Sequence, residues 1–112
     1  MKLSHEDYDQ ISVLTLRGDF TVEDAETFRE AARERMQEHE IRDFVLELGE
    51  VEFLDSQALE ALLWLQEACG EKLGQVRLAQ VQENVERILE ITRLGARFDR
   101  HADVESAIRS LR

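Results

Sequence analysis

A carboxylate beside a hydroxyl, just ahead of an apolar helical run, is the arrangement in this sequence best suited to recognition chemistry. It occurs at Leu54-Asp55-Ser56-Gln57, followed by Ala58 and Leu59. Asp55 and Ser56 are both good N-cap residues, and a cap at either leaves free N–H groups and the positive dipole end of the helix facing outward beside a hydroxyl. That makes Ser56 a candidate phosphoacceptor. The dipole contributes only about 0.3–1 kcal/mol at an exposed site, whereas a phosphate brings roughly two negative charges to a surface that a partner could cover. Modification there would change binding more than folding. The plain alternative is that Asp55 and Ser56 do no more than cap the helix.

Other constellations give less. His5, His39 and His101 are far apart and none has the spacing of two histidines on successive helical turns, so they read as solvated side chains and no metal site is expected. Ser56 lacks a Gly-x-Ser-x-Gly elbow, and Gly70, Gly74 and Gly95 are isolated glycines without a phosphate-loop pattern. No catalytic residue, cofactor or enzyme activity follows. Cys69 falls late in an apolar helical run and reads as a small buried hydrophobe. Trp64 sits among Leu62, Leu63 and Leu65, and four consecutive helical residues cannot share one face, so Trp64 or Leu63 is expected near the surface.

The composition narrows the classes of partner. The chain has 112 residues, enough for one domain spanning 1–112, and 43% of them are hydrophobic. Lys and Arg number 14 against 25 Asp and Glu, a net charge of −11, which disfavours nucleic acid and anionic lipid surfaces. With one cysteine, an acidic start at Met1 to Asp7 and no apolar run of spanning length, the expectation is a cytoplasmic protein without direct membrane insertion.

The elements that would position the turn follow from periodicity. Residues 3–8 and 11–17 read as strands pairing through Asp9-Gln10, and Ala25, Phe28, Ala32 and Met36 recur at helical spacing over about residues 22–39, after a capping box at Thr21 and Asp24. The remaining positions of that helix are polar and read as facing water. Phe44, Leu46 and Leu48 alternate in a central strand; a largely apolar helix follows Asp55-Ser56 and is ended by Gly70 and Gly74. Val76 to Ala79 supplies another strand, Val85, Ile88, Leu89 and Thr92 a third helix, Arg97-Phe98-Asp99 a short segment reaching the sheet edge, and Asp103 caps a last helix. Strands alternating with helices imply an α/β fold. The expected architecture is a mixed, mostly parallel sheet of four to five strands with an N-terminal hairpin and four α-helices packed on it.

The stretch Phe53-Leu54-Asp55-Ser56-Gln57-Ala58-Leu59-Glu60-Ala61-Leu62-Leu63 resembles the STAS signature, in which an apolar strand end meets Asp-Ser-Ser/Thr-Gly-Leu at a helix start. Leu16-Arg17-Gly18-Asp19-Phe20-Thr21 is similar to the turn leading into the first helix of that family, and the order of elements matches across nearly the whole chain. Resemblance to the anti-anti-sigma members implies partner switching. The module would bind an anti-sigma factor that is also a serine protein kinase of the histidine-kinase-like ATPase type, through Asp55, Ser56, Gln57, Ala58 and Leu59, and phosphorylation would undo that binding. The usual phosphoacceptor in those members is the second hydroxyl of the pair, and Gln57 occupies that position; Ala58 replaces the family glycine. A neutral Gln57 would imitate the unphosphorylated, binding-competent state unless Ser56 serves as acceptor. The resemblance also admits an accessory subunit of a lipid or anion transporter, or a component of a signalling scaffold.

Overall fold

The opening hairpin forms because a strand rich in branched and apolar residues, Ile11–Arg17, pairs with a more polar edge strand, Lys2–Tyr8, through a residue able to turn sharply. In the computed structural model, which describes residues 1–112, strand β1 (Lys2–Tyr8) pairs antiparallel with β2 (Ile11–Arg17), and Asp9 between them has φ 57°. Then follow α1 (Val22–Glu38), β3 (Asp43–Glu50), α2 (Ser56–Gly70), β4 (Val76–Ala79), α3 (Glu83–Ile91), β5 (Asp99–His101) and α4 (Val104–Ser110). The sheet order is β1-β2-β3-β4-β5, with every pairing after the first parallel. This is the expected mixed sheet with four helices.

Strand alternation decides which side each helix covers. Leu14, Leu16, Phe44, Leu46, Leu48 and Leu78 face one side and meet α1, α2 and α3 through Phe28, Ala32, Leu62, Leu65, Val85 and Leu89 in one apolar cluster. Ile11, Val13, Val45 and Ala79 face the other side, where Ala107, Val104 and Ile108 of α4 cover them. Burying a Leu or Phe side chain is worth about 1.5–3 kcal/mol, so the first cluster dominates the stability. Phe20 and Phe28 pack with ring centroids 5.1 Å apart beneath the start of α1.

Two expectations need correction. Arg35 of α1 does not face water: it is 6% exposed, and its Nη1 donates to Asp7 Oδ2 at 2.8 Å and to His5 Nδ1 at 3.1 Å, so His5 is also an engaged side chain. Burying a guanidinium is tolerable only because acceptors meet it. The strand at the second edge is Asp99–His101; residues Gly95–Arg97 form a 3-10 turn, and Phe98, 3% exposed, turns inward as a core residue. Helix α2 ends at Gly70 as expected, and the left-handed residue beyond it is Leu73 (φ 63°). Gly74 is needed because a Cβ there would lie 1.9 Å from the Arg42 carbonyl oxygen.

Candidate functional site

The parallel strands β2 and β3 end side by side, and their loops continue the pairing. Gly18 donates its N–H to the Glu50 carbonyl (2.8 Å), Phe20 to the Phe53 carbonyl (3.0 Å), and Asp55 to the Phe20 carbonyl (3.2 Å). Phe20 and Leu54, both buried, form an isolated parallel bridge. The chain therefore leaves β3 and enters α2 along a path fixed by backbone hydrogen bonds to the preceding loop.

Asp55 completes the arrangement. As N-cap of α2 it accepts the Ala58 N–H on Oδ1 at 2.9 Å, and its Oδ2 accepts the N–H of Val22, the first residue of α1, at 2.8 Å. One carboxylate thus satisfies orphan donors of two helices, and a charged acceptor is favoured at both positive ends. The cap of α1 is closed by Asp24, whose Oδ2 accepts the Thr21 N–H at 3.1 Å. From the other side, Asn84 at the start of α3 donates to the Glu52 carbonyl at 2.6 Å.

The five sequence-derived contact residues divide by exposure. Ser56 and Gln57 are exposed, Asp55 is half-buried, and Ala58 and Leu59 are buried in the core. Ala58 and Leu59 therefore anchor α2 and offer no side chain to a partner. Two exposed apolar residues flank the turn and were not picked out from the sequence: Phe53, 43% exposed, and Val22, 60% exposed. Phe53 stands two residues before the Asp55 cap and Val22 directly after the Thr21 cap, both outside the stripe of Ala25, Phe28, Ala32 and Met36, which is the local signal that could have marked them.

Cys69 is buried, and burial together with the nearby Asp43 carboxylate pushes its thiol up to about 12, against a smaller opposing effect of Lys72. Trp64 is half-buried under the Arg33 guanidinium, 5.0 Å from the ring centroid. His39 stands with Glu34 and Glu38, their ligand atoms within 4.8 Å of one another and all three residues exposed. His5 and His101 lie elsewhere, on β1 and β5. No helix is long and apolar enough to cross a membrane.

The STAS domain family matches residues 2–107. No curated protein matches the sequence. Among solved structures, an anti-sigma factor antagonist from Mycobacterium paratuberculosis is 23% identical, with a TM-score of 0.82 over 98% of this chain and 92% of that one. The Bacillus cell fate determinant SpoIIAA in its phosphorylated form is 17% identical, with a TM-score of 0.78 over 99% and 100% of the two chains. A sulfate transporter family protein from Wolinella succinogenes is 19% identical, with a TM-score of 0.73 over 91% and 84%. These identities speak for a shared fold. The chain belongs to the STAS domain family.

Proposed function

Starting from a STAS domain with this turn exposed, we propose that the chain is an anti-sigma factor antagonist. In this reading it binds an anti-sigma factor that is a serine kinase of the histidine-kinase-like ATPase type, freeing a sigma factor. The observation that carries the reading is the start of α2: Ser56 and Gln57 are exposed on a backbone locked by Asp55, at the position of the STAS signature. Such a locked surface binds without first ordering itself, which lowers the entropic cost of association.

The side chains present also set the regulatory state. Gln57 is neutral and carries no hydroxyl, so the surface stays in a binding-competent charge state. Ser56, the first helical residue of α2, is the one exposed hydroxyl of the turn and the proposed phosphoacceptor. Its phosphate would sit at a helix N-terminus, where the fold tolerates negative charge and a docked partner does not. The role is one of binding, without turnover.

Affinity purification of the tagged protein, with mass spectrometry of its companions and of its own phosphorylation, tests the reading. A soluble ATPase-like anti-sigma factor should co-purify; recovery of membrane-extracted transport proteins alone would move the chain to the transporter-accessory role that the fold also serves. Incubation with the recovered kinase and ATP should add one phosphate to wild type and none to Ser56→Ala. Equal incorporation into both excludes Ser56.

A further inference from the structure

The two edges of the sheet are guarded differently. The β5 edge is three residues long, whereas β1 is seven residues long, pairs with β2 without a bulge, and is exposed at every position except the half-buried Leu3. A long open edge is a template for another strand, and folded proteins blunt such edges with proline, bulges or charge. The chain has no proline, so of these devices β1 carries charge alone.

Those charges are not arranged to repel a second copy. Asp7 is engaged within the fold, by Arg35 at 2.8 Å. Lys2 and Glu6 are left over: they point to the same face of the sheet, and neither has an oppositely charged side-chain atom within 4.0 Å. Lys2 stands across from Arg17 of β2, a like charge already bound by Glu50 at 2.9 Å, and Glu6 accepts the Tyr8 hydroxyl.

We propose that β1 is a dimer interface, in which two copies pair their β1 strands antiparallel about a two-fold axis at Ser4. Lys2 of each copy then faces Glu6 of the other, and two five-stranded sheets join into one. An axis normal to the sheet keeps the faces of the two copies aligned, so only residues of like parity oppose each other. Three such registers overlap by five residues or more. Centring on His5 sets Lys2 against Tyr8 and Ser4 against Glu6; centring on Glu6 brings two carboxylates together. The Ser4 register alone forms two cross-strand ion pairs, with Leu3 meeting His5 on the other face. Directly opposed side chains lie about 4.5–5.5 Å apart at Cβ, within reach of an ammonium and a carboxylate. Backbone pairing supplies the adhesion and the ion pairs select the register. Because the axis reverses the strands, the two α2 starts point toward opposite ends of the dimer.

Sedimentation equilibrium of the intact protein over a concentration series, with charge swaps at the two exposed positions, tests the inference. Wild type should show a monomer–dimer equilibrium. Lys2→Glu and Glu6→Lys should each weaken it by about tenfold or more, since every ion pair becomes a like-charge contact. Glu6→Lys is the sharper arm: it moves the net charge of −11 toward zero and would strengthen any association governed by bulk charge. An equimolar mixture of the two variants should recover dimers, because each then meets its complement. Amide exchange in wild type should slow at residues 2–6 as concentration rises. Unchanged circular dichroism verifies that each variant is folded. A wild type that stays monomeric to about 1 mM would overturn the inference. So would tighter association of Glu6→Lys, a mixture no better than its components, or concentration-dependent protection at residues 99–101 in place of 2–6. The outcome bears on β1 and leaves the partner proposed for the start of α2 untouched.

Discussion

The two ends of α2 use the same chemistry for opposite purposes. At its start, Asp55 binds backbone donors of two helices and leaves Ser56 and Gln57 in solvent. Past its end, Asp43, 3% exposed, binds the Gln75 N–H at 2.8 Å, and Gly74 lies against the Arg42 backbone with no room between. Each aspartate satisfies a backbone that regular structure leaves unpaired, so a hydrogen-bonding role alone marks neither as functional. What separates them is the surroundings: one carboxylate is enclosed, the other props up a surface that small polar side chains leave open. A buried carboxylate with its partners met speaks for fold, and the exposed residues beside a half-buried one speak for contact.

Substitutions at the two ends should sharpen that contrast. Gly74→Ala carries the largest expected effect, a loss on the order of 3 kcal/mol, because its Cβ would meet a backbone oxygen that cannot move independently. Chemical unfolding would measure it, and thiol labelling of Cys69 offers a second readout. With a thiol at about 12, native Cys69 should stay unreactive through pH 9, since both burial and the scarcity of thiolate oppose attack; Gly74→Ala should expose it by more frequent opening.

Asp55→Ala comes next, with a loss of about 1–2 kcal/mol from one missing cap and one unpaired α1 donor. Its distinctive consequence is loss of alignment between the starts of α1 and α2, visible as faster amide exchange at Val22 and Ala58 together. Protection retained at Val22 would show that α1 does not depend on this carboxylate. Smallest are Ser56→Ala and Gln57→Ala, each expected within about 0.5 kcal/mol of wild type because neither side chain holds any part of the fold. A loss at Gln57 as large as that of Asp55→Ala would erase the distinction drawn between support and contact.

The same contrast explains what could be read in the sequence. Elements with strong periodicity were legible: β2 at Ile11–Arg17 and β4 at Val76–Ala79 lie where alternation places them, and α1 begins after Thr21 as its capping box requires. The Asp55 cap was legible too, from residue type and position. Its second bond, to Val22 across the molecule, was not, because a side chain's long-range partner leaves no local pattern. Arg35 was hidden for the same reason: its buried position depends on Asp7 and His5 of a strand distant in sequence. Phe98 shows the remaining failure, where burial of one large ring displaced the edge strand toward Asp99–His101 against the local pattern. At the candidate site, residue types pointed to the turn, while the sorting of Ala58 and Leu59 into the core required the helix to be set on the sheet.

The proposed function stands only if a partner sits on the exposed start of α2. The most direct measurement is the affinity of Gln57→Glu for the recovered partner, made beside its thermal unfolding. An added carboxylate at a helix N-terminus should leave the unfolding temperature unchanged or slightly raised, while the charge at the interface weakens binding by about tenfold or more. Affinity equal to wild type in a fully folded variant would contradict the account.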